Sequence, residues 1–453
     1  MMLTPKSSVS QRMITGTSWS VVGNGCARVL SALGTFVAAR LLGKESFGAF
    51  SVVQLTIATA AMLVGLQVGT TATRYIAEYR SAAPARAFGV IRLSNVIATV
   101  SGAVAAVSLF VFAGWISSSV LGRPEMAWLI RLAAPGVFCT LFSGVQLGAL
   151  AGLEDFRTYA YVNGIGNACI FVFIVGGTVT KGVAGAIGGW VLGNICLCVC
   201  GFVALRHVRQ RLGLMESPVP ALLSERHILF SYGVPTFIAS FMLGPVLLRC
   251  NALMMATHSL SAVGLYSAAD RLRLLLLFVP TALTSTLFPV LSNLRGTSDH
   301  SGYKGAVRAS SAISLIVLAV PAIVFALAAK CLLSMAFGRS FAAAAPILVV
   351  LCVAAVSESA NMILGYVLLT SGKVWLRAII DLGLALLLLL LATLWIPKYG
   401  AVGFAWAYTL SFFTASLVLA CVVVGLRHKL WIHSAQVATE TIGLDRNIVA
   451  VGG

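Results

Sequence analysis

Residues 260–280 read LSAVGLYSAADRLRLLLLFVP, an apolar stretch that is long enough to cross a membrane and yet contains three ionised side chains. These are Asp270, Arg271 and Arg273. A charge at the centre of a membrane helix costs roughly 2.5–3.5 kcal/mol on insertion scales, so such groups face a protein interior or a water-filled cavity. The stretch therefore predicts a polar path inside a bundle of membrane helices.

The composition of the whole chain is that of a polytopic membrane protein. Of its 453 residues, 59% are hydrophobic and 10% are charged, whereas ordinary soluble domains carry about 25% charged residues. The net charge of +18 comes from 31 Lys and Arg that stand singly between apolar segments. A nucleic-acid-binding face would gather them together, so we expect no nucleic-acid partner.

Twelve membrane spans are predicted when about 20 apolar residues are required for each crossing. We expect all of them to be helices, because lipid offers unpaired backbone groups no partner and barrel strands would alternate in polarity. The expected fold is thus an all-α polytopic membrane protein with about 12 transmembrane helices. The spans cover about 14–39, 47–72, 87–114, 126–150, 158–179, 183–205, 229–255, 262–290, 308–329, 341–369, 376–396 and 400–426.

The basic residues between the spans predict the orientation of the chain in the membrane. Nineteen Lys and Arg lie in the segments on the same side as the N-terminus, and eight lie in the segments on the other side. By the positive-inside rule, both termini are expected in the cytoplasm.

An internal repeat predicts how the spans are grouped. Glycine-containing strings recur at nearly constant offsets: Gly48–Ser51 with Gly264–Ser267, Leu121–Arg123 with Phe337–Arg339, and Gly182–Gly185 with Gly400–Gly403. The pattern indicates two six-helix lobes, and an even number of spans makes the repeat parallel, with substrate expected between the lobes. The predicted division is a lobe at 1–206, a cytoplasmic linker at 207–227, a second lobe at 228–427 and a cytoplasmic tail at 428–453.

Two arginines stand alone in the predicted spans. Arg28 and Arg249 have no acidic residue within four positions, so no local partner neutralises them. We expect both to line a cavity that binds an anionic substrate, because Arg suits phosphate through its planar fork of donors. The alternatives are a buried pair with an acid from another helix for Arg28, and snorkelling to the membrane surface for Arg249.

Helical geometry separates the three charges of the opening stretch. At about 100° per residue, Arg271 and Arg273 point about 160° apart, so they do not both face one cavity. Asp270 and Arg273 are spaced i, i+3 and are predicted to form a structural ion pair. Arg271 is therefore the predicted substrate contact.

Two acidic residues remain in the later spans. Arg377 and Asp381 are spaced i, i+4, which favours a structural ion pair near the cytoplasmic end of a span. Glu358 has no basic residue at i±3 or i±4. It is expected either to neutralise an Arg of the other lobe or to carry the coupling ion of a transporter.

Several motifs resemble those of one family. Residues 39–48, ARLLGKESFG, resemble the "aR.lG.e.fG" signature after the first span of Wzx-type oligosaccharide-lipid flippases, the polysaccharide-biosynthesis branch of the MATE-like MOP exporter superfamily. Residues 231–235, SYGVP, resemble the opening of the family's seventh span. Residues 263–272, VGLYSAADRL, are similar to its "vG.Y..A.rl", with Pro280 and Phe288-Pro289 following as in the family.

The resemblance implies a MATE-like pair of six-helix lobes that moves undecaprenyl-pyrophosphate-linked oligosaccharide across the bacterial inner membrane. It also implies membrane lipids and the polysaccharide polymerase and chain-length machinery as partners. One departure concerns ion coupling: family members often carry an acidic residue late in the seventh span, where this chain has Arg249-Cys250-Asn251.

Two other functions compete with this interpretation. A cation-coupled multidrug antiporter of the same superfamily would need acidic residues in its cavity, whereas arginines prevail here. A membrane polysaccharide polymerase or ligase would need a large outer loop with catalytic Arg or His, and the predicted outer loops are short. No P-loop, CxxC pair or His at metal-ligand spacing is present, so we expect no enzymatic activity, cofactor or metal site.

Overall fold

The computed structural model describes residues 9–65, 68–82, 84–211, 243–278, 280–281, 300–371 and 373–425, and these are helical almost throughout, with no strand among them. We number the α-helices in chain order and include the short ones. They are α1 Val9–Val64, α2 Val68–Ala82, α3 Pro84–Val111, α4 Ala113–Trp115, α5 Ala127–Ala133, α6 Pro135–Gly152, α7 Phe156–Arg211, α8 Leu243–Thr257, α9 Leu260–Leu276, α10 His300–Leu327, α11 Ala329–Phe337, α12 Ala345–Thr370 and α13 Val374–Gly425. The chain is an all-α polytopic membrane protein, as predicted.

The three longest helices each contain two predicted spans joined at a glycine. The breaks are at Gly43 in α1 (φ 72°), Gly182 in α7 (φ 56°) and Gly400 in α13 (φ 57°). Positive φ is accessible to glycine without steric cost, so the chain reverses at these residues.

The reversal in α7 and α13 produces tight helical hairpins. A Cβ on Gly177 would overlap the carbonyl oxygen of Gly185, and a Cβ on Gly185 would overlap that of Gly177. In α13, a Cβ on Gly403 would overlap the carbonyl oxygen of Trp395. The two arms of each hairpin are therefore in backbone contact, which only glycine permits.

In the part of the chain that the structure describes, six helices are long and apolar enough to cross a membrane, or seven if one bent pair is a single span. The bent pair is α10 with α11, at an angle of 79°. Predicted spans seven and eight are represented by α8, α9 and the few described residues after α9, and 229–242, 279 and 282–290 lie outside the described residues. The same holds for the SYGVP and Phe288-Pro289 motifs, most of the predicted linker and the C-terminal tail.

Glycines at equivalent positions of the sequence repeat have similar backbone torsion angles. Gly122 and Gly338, 216 positions apart, both have positive φ, at 68° and 103°. Gly182 and Gly400, 218 positions apart, agree in both angles, with ψ of −132° and −134°. The turns at Gly182 and Gly400 thus have the same backbone conformation, which supports the predicted repeat. We call residues 9–211 the first half and residues 243–425 the second half.

The two halves meet along α1 and α9 at a pair of repeat-related glycines. A Cβ on Gly48 would overlap the carbonyl oxygen of Leu260, and a Cβ on Gly264 would overlap that of Lys44. Lys44 and Leu260 are themselves 216 positions apart. The contact is therefore reciprocal, with each glycine meeting the carbonyl oxygen one turn before its repeat counterpart.

Beside this contact, an aromatic cluster joins the halves at the end of the molecule that contains Gly43. The cluster consists of Phe36, Phe47, Phe337 and Phe341. The rings of Phe36 and Phe337 are 4.8 Å apart in an edge-to-face arrangement, and Arg40 Nη2 donates to the carbonyl oxygen of Met335 at 2.7 Å. The halves are closed against each other here.

Candidate functional site

The predicted substrate contact, Arg271, forms a hydrogen bond that crosses between the two halves. It is half-buried on α9, and its Nη2 donates to Oε1 of Gln54 on α1 at 2.7 Å. Gln54 is the repeat counterpart of Asp270, 216 positions earlier. The positive charge of Arg271 therefore meets a neutral amide oxygen, and no carboxylate is paired with it among the described residues.

Arg273, two positions further on, lies in a buried ionic cluster of the second half. Its residue is 5% exposed. Its Nη2 lies 2.7 Å from Asp270 Oδ1, its Nη1 pairs with Glu358 Oε2, and its guanidinium carbon lies 5.0 Å from the centre of the Tyr408 ring. Burial of this charge is compensated by two carboxylates and an aromatic face. The cluster joins α9, α12 and α13.

Glu358 lies in that cluster and not in contact with the first half. Besides pairing with Arg273, its Oε2 accepts a hydrogen bond from the Tyr408 hydroxyl at 3.2 Å. The sequence pattern had suggested an Arg of the other lobe as its partner. The partner is on α9 of the same half because α12 packs against α9, a contact that linear spacing does not reveal.

Arg377 and Asp381 form an i, i+4 pair at the start of α13. The distance between Arg377 Nη2 and Asp381 Oδ1 is 2.7 Å. Arg377 also donates to the backbone oxygen of Asn361 at 3.0 Å and to its Oδ1 at 2.8 Å. The pair thus connects α13 to α12, which agrees with a structural function.

Arg28 and Arg249 are both exposed. The guanidinium carbon of Arg28 lies 5.2 Å from the centre of the Phe278 ring, just beyond α9, and a Cβ on Gly25, one turn earlier, would lie 3.7 Å from the same ring. Arg28 therefore lies on the face of α1 that is directed at the second half. Arg249 projects from α8 between the buried residues Leu248 and Cys250. Among the described residues neither arginine has a carboxylate partner.

Sequence reasoning missed three polar residues of this region. Gln54, Tyr408 and Asn361 are not among the predicted site residues. The signal for Gln54 was available, since it is an amide in an apolar span at a repeat position whose copy is charged. Tyr408 and Asn361 gave no such signal, because their partners come from other helices.

The described residues contain no group of three or more His, Cys, Asp or Glu side chains arranged to hold a metal ion. The arrangement instead offers arginines between the halves and an ionic cluster inside one of them, in which two carboxylates share the guanidinium of Arg273. Fixed guanidinium groups in a membrane interior are suited to binding an anion such as a phosphate. Nothing in this geometry resembles a nucleophile with an activating base.

Comparison with known proteins gives a family for the sequence and relatives for the fold. The family model described as "Polysaccharide biosynthesis protein" matches residues 13–295. No curated relative matches the sequence.

The solved structures that resemble the chain are transporters. An inward-facing multidrug resistance MATE family transporter of the MOP superfamily superposes with a TM-score of 0.74 at 15% identity, covering 90% of this chain and 99% of that one. A MOP superfamily transporter from Pyrococcus furiosus, described as having a binding pocket of reversed polarity, gives 0.69 at 16% identity, covering 92% and 95%. An outward-facing MATE transporter gives 0.69 at 17% identity, covering 92% and 95%. At these identities the likeness establishes a MATE-like fold.

Proposed function

Because the chain belongs to the polysaccharide biosynthesis protein family, whose model matches more than half of it, we propose that it flips undecaprenyl-pyrophosphate-linked oligosaccharide between membrane leaflets. Family and fold make it a multi-pass membrane transporter. In the proposal, substrate moves from the cytoplasmic to the outer leaflet by alternating access between the two halves.

The observation that carries the proposal is the environment of Arg271. A half-buried guanidinium inside the membrane is costly unless something neutralises it, and here its hydrogen-bond partner is the amide of Gln54. An anionic head group arriving between the halves would supply the missing negative charge. Arg28, on the facing surface of α1, adds a second cation for the same anion, and Arg249 is the third predicted contact.

The ionic cluster argues against a cation as substrate. Asp270 and Glu358 are paired with Arg273, and Asp381 is paired with Arg377. A multidrug antiporter would need such carboxylates available to its cationic substrate. Each of these carboxylates contacts a guanidinium, whereas Arg28, Arg249 and Arg271 have no carboxylate partner among the described residues.

The remaining features of the proposal follow from the sequence. We infer a bacterial inner-membrane location with both termini cytoplasmic, lobes at 1–206 and 228–427, a cytoplasmic linker at 207–227 and a tail at 428–453. Polysaccharide polymerase and chain-length proteins are proposed as the partners that receive the flipped substrate.

Flipping of a labelled substrate in reconstituted vesicles tests the proposal. The protein is incorporated with undecaprenyl-pyrophosphate-linked oligosaccharide that carries a fluorophore, and label accessible to an impermeant quencher is measured on each side. We expect the wild type to equilibrate the label. Arg271→Gln should lower the rate tenfold or more, which corresponds to about 1.4 kcal/mol. Arg123→Gln, which alters an exposed ion pair with Glu125, should leave the rate unchanged.

Two results would overturn the proposal. One is a wild-type protein that leaves the labelled lipid in place while exchanging hydrophobic cations for protons or sodium ions. The other is an Arg271→Gln rate equal to the wild-type rate. Deletion of the gene followed by analysis of lipid-linked sugars gives a cellular check, because a flippase defect should accumulate one such intermediate on the cytoplasmic face.

A further inference from the structure

The first half contains a cavity of about 550 Å³ that the sequence did not predict. It lies among the second part of α1, α2, α3, α6 and the first residues of α7. Glycine, alanine and aliphatic side chains form most of its wall, a few Thr, Ser and Tyr side chains complete it, and no lining residue carries a formal charge. The cavity is thus suited to an apolar occupant.

The cavity lies along the face of α1 that also carries Gln54. Gln54, which holds Arg271, is followed at helical spacing by Ala58, Ala61, Met62 and Gly65, and these four residues line the cavity. Residues at i, i+4, i+7, i+8 and i+11 share a helix face. One turn, a rise of about 6 Å, separates the residue that holds the guanidinium from the first residue of the apolar wall.

We propose that this cavity binds the isoprenoid chain of the substrate whose pyrophosphate contacts Arg271, an inference that rests on the proposed function. Such a substrate has an anionic group attached to a long apolar chain. The anionic group suits Arg271, and the apolar chain suits the uncharged cavity that lies about one helical turn away. The apolar residues that form most of the wall favour this chain over a charged group, because burying an unpaired charge there is costly. The chain therefore enters the protein beside its head group instead of remaining in the bilayer.

Gly144 on α6 offers a direct way to fill the cavity. It lines the cavity, and a Cβ built on it would meet no atom within 4 Å, so a larger side chain would extend into open space. Gly164 on α7 has the same freedom but does not line the cavity. Gly144→Phe and Gly164→Phe are thus a matched test and control, and Ala58→Phe fills the cavity from a different helix.

The experiment compares two isoprenoid pyrophosphates that share a head group and differ in chain length. Undecaprenyl pyrophosphate and geranyl pyrophosphate compete for binding to the full-length protein in nanodiscs. We expect Gly144→Phe and Ala58→Phe to weaken undecaprenyl pyrophosphate binding tenfold or more and to change geranyl pyrophosphate binding less than twofold. Gly164→Phe should change neither. A photoreactive group in the long chain should label the 140–151 segment of the wild type.

The outcomes distinguish this inference from the function on which it rests. Long-chain binding that is unchanged in both filling variants, or weakened equally for both chain lengths, would overturn the cavity assignment while leaving the flippase proposal in place. Photolabelling confined to other segments would overturn it as well. A wild type that binds neither pyrophosphate would instead contradict the proposed function.

Discussion

At the scale of single residues, Arg271 and Arg273 have opposite electrostatic surroundings although they are two positions apart. Arg273 is buried between Asp270 and Glu358, while Arg271 donates a hydrogen bond to the neutral amide of Gln54. The helical angle of about 160° between them places one in the interior of the second half and the other at the contact between the halves. One arginine stabilises the fold, and the other remains available to an anion.

Coupling of transport to an ion is one of the two roles predicted for Glu358, and Glu358→Gln tests it. A glutamine keeps the shape and hydrogen-bonding capacity but leaves Arg273 with one carboxylate. We expect a loss of roughly 1.5–3 kcal/mol in the free energy of unfolding, the usual worth of a hydrogen bond to a charged group. Thermal unfolding in detergent should show it as a lower melting temperature than that of the wild type.

The transport assay shows whether Glu358 takes part in ion coupling or only stabilises the fold. If Glu358 exchanges the coupling proton, Glu358→Gln should flip substrate at a rate that no longer responds to an imposed pH gradient. A variant that is less stable yet keeps the wild-type response to the gradient would limit Glu358 to its structural function. Arg377→Gln, which alters the other ion pair of the second half, is the control for stability loss alone.

At the scale of helices, glycines decide where the chain reverses and where the halves meet. Gly182 and Gly400 allow two long helices to fold back on themselves. Gly48 and Gly264 bring the backbones of α1 and α9 into direct contact. Small residues have this function in membranes because lipid provides no hydrophobic drive for helices to associate, so close packing stabilises them.

Gly264→Ala should separate α1 from α9. An added methyl group would overlap the carbonyl oxygen of Lys44, and a backbone atom cannot turn aside as a side chain can. We expect a loss of roughly 1–3 kcal/mol in stability, as overpacking usually causes, together with slower transport. Thermal unfolding and the flipping assay measure the two effects.

The control for this substitution is Gly164→Ala, where a Cβ has no neighbour within 4 Å. Alanine is the better helix former by about 1 kcal/mol, so this variant should be as stable as the wild type or more so. A Gly264→Ala protein with the same stability and transport rate as Gly164→Ala would contradict the assignment of Gly264 to the contact between the halves.

At the scale of the whole molecule, the aromatic cluster closes the halves against each other at the end that contains Gly43. Alternating access requires this contact to open, since rigid halves rock about a fixed axis. If both termini are cytoplasmic, as the basic residues predict, this end lies on the outer side of the membrane. The centroids of the Phe36 and Phe337 rings are 4.8 Å apart across the contact.

Cross-linking Phe36→Cys to Phe337→Cys should therefore stop transport. The pair is made in a Cys331→Ser background, because Cys331 is an exposed thiol on the same helix as Phe337. A short bifunctional thiol reagent should abolish flipping, and a reductant should restore it. Each single cysteine variant, treated in the same way, should remain active. Full transport by the cross-linked protein would show that the contact at this end does not open.

The amino-acid sequence by itself determined the properties that depend on neighbours along the chain. Apolar spans and the internal repeat are visible in the sequence itself. The pairs Asp270–Arg273 and Arg377–Asp381 are local as well, because one helix brings residues at i, i+3 and i, i+4 together. Lipid then leaves the backbone few alternatives to helix. The all-α polytopic fold followed directly from these patterns.

Only the tertiary structure decided which residues meet from different helices. The contact of Glu358 with Arg273, the hydrogen bond from Arg271 to Gln54 and the apolar cavity beside it depend on how helices pack. The packing of one helix on another is set by the shapes of both surfaces, which linear spacing does not encode. The packing gives Arg273 a second carboxylate and places Arg271 against an amide, neither of which the spacing of the charges predicts.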